Sequence, residues 1–153
     1  MSEDSTKQFI SFTIGDEEYG VDIMAIREIK GWTITTELPN TPGYMRGVIN
    51  LRGAIVPILD LRARFGSGMT DANPRHVIIV VAVGTRVAGI LVDAVADILA
   101  VSGDDIQPVP QLDRNDSSGF LTGLVTVDGR MVALLDLNRV FAFDEMDEAA
   151  AAA

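Results

Sequence analysis

The sequence contains no cysteine and a single histidine, His76. Disulfides, thiolate nucleophiles and thiolate metal sites are therefore excluded, and a histidine cluster cannot form. A chain without cysteine is typical of the reducing cytoplasm, which is where we expect it to act. We interpret His76, which follows Pro74 and Arg75, as part of a connecting segment rather than as a pH switch.

Aromatic residues are also scarce, at 6% of the chain, although hydrophobic residues make up 48%. The core must therefore consist mainly of Val, Ile and Leu, a composition that favours strands. No apolar run approaches the roughly 20 residues of a membrane span. The polar first residues are not followed by the apolar segment of a signal peptide. We expect no direct insertion into a membrane.

Positive charge is in deficit, with 12 Lys and Arg against 22 Asp and Glu and a formal net charge of -10. Nucleic-acid binding depends on a basic surface that releases counterions, so we expect no nucleic-acid partner. The glycine-rich nucleotide loops, the serine nucleophile motif and the zinc-helix motif are all missing. No calcium-loop pattern occurs either. We therefore predict no enzyme activity, no cofactor and no metal site.

What the sequence does contain is an internal repeat, which is a strong indication of architecture. The segment Gly20–Ile29 matches Gly89–Ile98, 69 residues later. Further residues recur with a spacing of 76, namely Gly43, Gly47, Gly53, Asp60, Leu61 and Phe65 as Gly119, Gly123, Gly129, Asp136, Leu137 and Phe141. The second half therefore contains seven additional residues, which we place in a longer loop at 102–118.

Each half is predicted to begin and end with a β-hairpin and to carry one strand between the two hairpins. Predicted strands include 9–14, 25–30, 47–51 and 54–59 in the first half, and 77–83, 95–101, 123–127 and 130–135 in the second. Two more begin at Tyr19 and Arg86. Five strands in about 65 residues fit a small closed barrel, because closure removes exposed edges. We predict an all-β protein with one barrel at 9–75, a second at 76–143, and flexible tails at 1–8 and 144–153.

Asp60 and Asp136 open two segments that we predict to be short helices, near 60–65 and 136–141. An aspartate at this position usually caps the helix by accepting an amide hydrogen bond. The alternative is a catalytic carboxylate pair. A cap explains why the same residue occurs at the same place in both halves.

The run Arg46-Gly47-Val48-Ile49-Asn50-Leu51-Arg52-Gly53, with Gly15–Ile23 and Ile26–Ile29 before it, resembles the CheW family of bacterial chemotaxis coupling proteins. The similarity covers about 8–143. It implies two SH3-like five-stranded barrels. It also implies an adaptor, recruited to membrane receptor arrays, that joins the tip of a chemoreceptor (a methyl-accepting chemotaxis protein) to the regulatory domain of a CheA-type histidine kinase. That kinase domain shares the fold. We expect the adaptor, because 153 residues leave no room for the phosphotransfer and ATP-binding domains.

Arg52 breaks a local rule, because it opens the two-residue turn of a predicted hairpin. The second half has Asp128-Gly129 at the equivalent place, which is a more favourable turn than Arg52-Gly53. Arg52 is either a tolerated surface residue or a guanidinium held at the hairpin tip to contact a partner carboxylate. The resemblance links this arginine to receptor coupling.

Ile26 and Glu28 break the expected alternation of a strand. With a period of two, both side chains would project from one face, so that an apolar residue and a charge share a surface. They either mark a strand end that leaves the core or form a contact surface. The resemblance implies that Ile26, Glu28 and Arg52 bind the receptor.

Tyr44, Arg46 and Gly47 precede or begin the signature strand, and we assign them to kinase binding. The alternative for Tyr44 is an aromatic residue of the core or its rim. Gly123 repeats Gly47, which indicates a steric requirement, whereas Arg46 has only Thr122 opposite it. Arg46 is therefore interpreted as a contact residue. Two other functions stay open: a small-ligand-binding protein or carboxylate-dependent enzyme that uses the cleft between the barrels, and a scaffold for a kinase pathway outside motility.

Overall fold

The computed structural model describes residues 6–110 and 117–141, and within these ranges the chain forms ten strands and two short α-helices. The first half contains β1 (Thr6–Ile14), β2 (Glu17–Asp22), β3 (Ile26–Gly31), β4 (Met45–Leu51), β5 (Ala54–Asp60) and α1 (Leu61–Arg64). The second half contains β6 (Val77–Val83), β7 (Arg86–Val92), β8 (Ala94–Ser102), β9 (Leu121–Val127), β10 (Arg130–Leu135) and α2 (Leu137–Val140). The predicted all-β class, the hairpins at both ends of each half and the two short helices are confirmed.

The strands form two five-stranded sheets of equivalent topology. Sheet A has the order β8-β1-β2-β10-β9, and sheet B has the order β3-β6-β7-β5-β4. Replacing each strand of sheet A by its repeat equivalent gives the order of sheet B. The internal repeat of the sequence is therefore a repeat of structure.

The two sheets do not divide the chain at the predicted boundary between residues 75 and 76. Sheet B is built from β3 to β7, whereas β1 and β2 join β8, β9 and β10 in sheet A. Each sheet thus combines strands of both halves. The repeat shows which elements are equivalent, but it does not show which copy of an element each strand pairs with. Of the predicted tails, residues 6–8 belong to β1, and residues 1–5 and 144–153 lie outside the described residues.

Parallel pairing joins the two halves within each sheet. β2 runs parallel to β10, and β7 runs parallel to β5. Glycine makes the close approach possible at both places. A Cβ on Gly20 would lie 3.0 Å from the Leu134 side chain, and one on Gly89 would lie 2.7 Å from Ile58. These two glycines are repeat equivalents, so the same steric solution is used twice.

Three clusters of buried side chains hold the fold together. Alternation along a strand sends successive residues to opposite faces, so Ile78 and Val80 pack inside the sheet B barrel while Ile79 and Val81 face the second sheet. A central core between the sheets includes Phe12, Tyr19, Val21, Leu59, Ile90, Val92 and Phe141. The interior of the sheet A barrel includes Phe9, Leu99, Val101, Val125, Val132 and Leu134. No helix in the described part of the chain is long and apolar enough to cross a bilayer.

Candidate docking surface

Strand β3 carries two of the predicted receptor-binding residues and lies at an edge of sheet B. A β-bulge interrupts its pairing with β6, so that Ile26 is opposite Val81 and Glu28 is opposite Val80. Directly opposed residues point to the same face of a sheet. The prediction that Ile26 and Glu28 share a face is therefore wrong, because the bulge inserts an extra residue between them.

Ile26 and Glu28 consequently have different surroundings. Ile26 is half-buried against the central core. Glu28 lies on the other side of the strand, where the Nη1 atom of Arg52 donates to its Oε1 atom at 2.6 Å. The structure thus brings Glu28 and Arg52 together, although 24 residues separate them in the sequence. Because β3 is an edge strand, one partner can reach both of its faces.

The Arg52 side chain is 75% exposed, whereas that of Glu28 is 24% exposed. An ion pair at this degree of exposure contributes about 0–1 kcal/mol to stability. The charges remain accessible to a partner, because the guanidinium has further donors that Glu28 does not use. Exposed apolar side chains adjoin the pair along the chain, with Ile55 at 66% and Ile29 at 41% exposure. Ile29 is opposite Ile79, whereas Glu28 is opposite Val80, so the two side chains lie on opposite faces of β3.

The hairpin tip holds Arg52 in an unfavourable backbone conformation. Its φ is 53°, and φ of the following Gly53 is 89°. Asp128 and Gly129 adopt nearly the same angles, 51° and 78°, at the equivalent turn. A left-handed conformation costs a residue other than Gly, Asn or Asp about 1–2 kcal/mol. The fold therefore accommodates an arginine where an aspartate would cost less.

Arg46, which we predicted to be a contact residue, is engaged inside the protein. Its Nη1 atom donates to the Asp60 carboxylate at 2.9 Å and to the carbonyl oxygen of Thr70 at 2.8 Å. The guanidinium also lies 4.9 Å from the centre of the Trp32 ring. Only 18% of the side chain is exposed. Any part that Arg46 plays in kinase binding must therefore act through the shape of this segment.

Gly47 is required for steric reasons. Its φ is 132°, and a Cβ atom there would lie 2.3 Å from the carbonyl oxygen of Thr36. Thr36 and Val48 form a β-bridge beside it, with both N···O distances at 2.8 Å. The equivalent Gly123 is also tightly packed, because its Cβ would meet the Ile106 side chain at 2.6 Å. Gly47 thus allows the 32–44 segment to lie directly against β4.

Tyr44 is half-buried, and its ring is covered by the guanidinium of Arg64 at 4.2 Å. The sequence reasoning missed Arg64. The repeat holds a signal that could have found it, since Arg64 stands opposite Val140 while its neighbours Phe65 and Phe141 match. A charge that replaces an apolar residue in one copy indicates a contact which only that copy makes.

Asp60 and Asp136 are both helix caps, as predicted. Asp60 accepts from the amide of Ala63, and Asp136 accepts from that of Asn138. Asp60 is fully buried and also accepts from the amide and hydroxyl of Thr70 and from Arg46. Each carboxylate is thus committed to its own sheet. This arrangement gives no support to a catalytic pair.

A cleft of about 430 Å³ lies where the β1–β2 hairpin meets α1 and Asp93, between the two sheets. Tyr19 lines it and donates from its hydroxyl to Glu17. Burial, together with that hydrogen bond, raises the pKa of the Tyr19 phenol. The phenol therefore stays protonated at neutral pH, which makes it a poor general base.

Comparison with known proteins gives a consistent result. The chain matches the family model of the CheW-like domain over residues 8–145. It is 48% identical over 143 residues to the chemotaxis protein CheW of Rhizobium meliloti (strain 1021), covering 94% of this chain and 92% of that protein. It is 41% identical to the CheW protein of Klebsiella aerogenes over 140 residues, or 92% and 84% of the two chains. The crystal structure of the scaffolding protein TtCheW from Thermoanaerobacter tengcongensis superposes with a TM-score of 0.82 at 32% identity, covering 91% of this chain and 90% of that one.

Proposed function

The chain belongs to the CheW-like domain family, and from that premise we propose that it is a non-catalytic chemotaxis scaffold which couples receptors to a kinase. The partners would be the cytoplasmic tip of a chemoreceptor and the regulatory domain of a CheA-type histidine kinase. The protein would act in the cytoplasm, at membrane receptor arrays. Its contribution is geometric, because it holds two other proteins in a fixed relation.

The observation that carries the receptor side of the proposal is the exposed pair formed by Arg52 and Glu28. Arg52 is kept at a hairpin tip despite its left-handed backbone, while the equivalent turn has the more favourable aspartate. A residue that breaks a local rule without a gain in stability is expected at a functional site. We propose that Ile26, Glu28 and Arg52 together contact the receptor across the edge strand β3.

The kinase side of the proposal rests on Tyr44, Arg46 and Gly47. Arg46 contacts the 32–44 segment through the Trp32 ring and the Thr35 hydroxyl, and Gly47 allows the close approach of Thr36 to β4. We propose that they shape a surface on this side of sheet B which the kinase domain binds. Contacts of this kind are commonly micromolar, about 8 kcal/mol, so a stable assembly requires many of them in an array.

Two single variants test the receptor surface. We expect Glu28→Lys and Arg52→Ala to weaken binding to a purified receptor-tip fragment by about tenfold or more, because charge-assisted contacts are lost or repelled. Their free energies of unfolding should stay within about 1 kcal/mol of the wild type, since the pair is exposed. Calorimetric titration measures the binding, and urea denaturation measures the stability.

The matched control is Arg75→Ala, which removes an exposed arginine from the connection between the halves. It should bind the receptor fragment as the wild type does. The proposal fails if all three variants bind equally well. Loss of the folded state in Glu28→Lys or Arg52→Ala would instead make these residues structural.

A further inference from the structure

Arg64 connects the two sheets through hydrogen bonds and ring contacts. Its Nε atom donates to the carbonyl oxygen of Val140 at 2.9 Å, and its Nη2 atom to that of Arg139 at 3.2 Å. The guanidinium lies over two rings, that of Tyr44 at 4.2 Å and that of Phe120 at 4.7 Å. Arg64 ends α1, which follows sheet B, whereas its acceptors lie in α2, which follows sheet A.

The acceptors of these hydrogen bonds would otherwise lack a helical partner. α2 has only four residues, so its last carbonyl groups cannot be satisfied within the helix. A cationic side chain near a helix C-terminus satisfies such carbonyls and is favoured by the helix dipole. Arg64 provides this C-terminal cap from the other sheet.

The two rings that enclose Arg64 are repeat equivalents. Tyr44 and Phe120 are 76 residues apart, and their carbonyl oxygens accept from the amides of Asp60 and Asp136, both at 2.8 Å. The counterpart of Arg64 itself is Val140, which is completely buried. A single arginine therefore occupies the position between the two copies. At this position the first copy contributes the guanidinium of Arg64, and the second copy contributes the carbonyl oxygen of Val140 that accepts from it.

Arg64 is one of several directional contacts between the sheets, which also include the hydrogen bonds of Asp93 to Thr13 and Gly15. The chain passes from sheet A to sheet B only between β2 and β3, and returns only between β7 and β8. The central core is apolar, and apolar burial is not directional. The two hydrogen bonds of Arg64 are directional, and so is its stacking on the rings. Directional contacts of this kind oppose rotation of the groups that they join.

We propose that Arg64 is a positioning residue: it fixes the relative orientation of sheets A and B and holds Tyr44 in the segment that binds the kinase. The kinase part of this inference rests on the proposed function, whereas the orientation of the sheets does not. Arg64 is thus distinct from the receptor pair, which lies on β3 and the β4–β5 turn.

Residual dipolar couplings of backbone amides test the orientation directly. In the wild type, the couplings of both sheets should fit one alignment tensor and the orientation described above. In Arg64→Leu, each sheet should still fit by itself, but a single tensor should no longer fit both. The matched control is Arg62→Leu, which removes an exposed arginine from the same helix and should leave the common tensor intact. One shared, unchanged tensor in a folded Arg64→Leu would overturn the inference.

A milder variant covers the case in which Arg64→Leu does not fold. Arg64→Lys keeps the cation near the rings but cannot donate to both carbonyls in the planar geometry of a guanidinium. It should retain cooperative unfolding and show a change in sheet orientation. If its couplings match those of the wild type, the two hydrogen bonds do not set the orientation and the inference is wrong.

Binding measurements separate this inference from the proposed function. A folded Arg64 variant should bind the isolated kinase regulatory domain on the order of fivefold more weakly, the lower range of coupling between sites. It should bind the receptor-tip fragment within about twofold of the wild type, because distant sites are nearly independent. Equal loss of both partners would contradict a positioning role at the kinase segment. If the receptor fragment binds Glu28→Lys as tightly as the wild type, the proposed function is contradicted instead. That outcome does not depend on the residual dipolar couplings.

Discussion

Arg52 and Asp128 occupy the same backbone conformation in two copies of one hairpin, with φ of 53° and 51°. The two turns therefore compare two side chains in a common setting. Asp tolerates the left-handed region because its short side chain bonds locally, whereas Arg does not. The difference in conformational free energy between the two turns is the stability that the protein loses by having an arginine at this tip.

Substitutions at these two turns should separate stability from binding. Arg52→Asn should leave the free energy of unfolding unchanged or raise it, because relief of the backbone offsets the loss of an exposed ion pair. Asp128→Arg should lower it by about 1 kcal/mol. Urea denaturation measures both values. Arg52→Asn should also bind the receptor fragment more weakly, and a marked destabilisation by Arg52→Asn would mean that Arg52 serves the fold.

Residue types at the docking surface could be identified from the sequence, but their arrangement could not. Arg52 was found because it violates turn chemistry, which is a local rule. The contact between Arg52 and Glu28 depends on the bulge in β3, and the register of an edge strand is set by its partner β6. A shift of one residue reverses the face on which a side chain lies. The prediction that Ile26 and Glu28 share a face was therefore wrong.

At the scale of elements, the capping aspartates show how one local motif serves two purposes. Asp60 and Asp136 cap equivalent helices, and this much followed from their positions in the repeat. Asp60 also neutralises Arg46 and bonds twice to Thr70, which joins the 66–76 segment to β4 and β5. Asp60 meets Arg46 and Thr70 only through the tertiary fold. The sequence between these residues has no periodic pattern that would predict the contacts.

Alanine substitution of the two caps should therefore have unequal effects. Asp136→Ala should lower the free energy of unfolding by about 1 kcal/mol, the usual value for a cap. Asp60→Ala should lower it by about 3–5 kcal/mol, because it leaves Arg46 largely buried without its counter-charge. Chemical denaturation of the two variants under the same conditions gives the comparison. Equal losses would show that the contacts of Asp60 with Arg46 and Thr70 add nothing to stability.

At the scale of the whole molecule, the number and type of the strands could be predicted, whereas their partition between the sheets could not. The alternation of apolar and polar residues and the turn residues are local signals, and they correctly predicted hairpins at both ends of each half. The parallel pairing of β2 with β10 depends on the close fit of Gly20 against Leu134, and these two residues are far apart in the chain. The two halves are therefore mutually dependent, although each has a complete set of strands.

Separate halves should consequently not fold on their own. A fragment of residues 9–75 would leave β1 and β2 without β10 and β8, and β3 without β6. We expect it to give the poorly dispersed amide spectrum of an unfolded chain. Mixed with residues 76–143, it should recover a dispersed spectrum, because the break falls in an exposed connection. A dispersed, cooperatively unfolding 9–75 fragment would contradict the shared sheets.

The central claim is that this duplicated β-scaffold acts by joining two other proteins. Its most direct test is the autophosphorylation rate of a CheA-type kinase, reconstituted with receptor in membranes, with and without this protein. We predict that the protein stimulates the kinase only when receptor is present, and that Glu28→Lys abolishes the stimulation. Equal kinase rates with and without the protein, in the presence of receptor, would contradict the account.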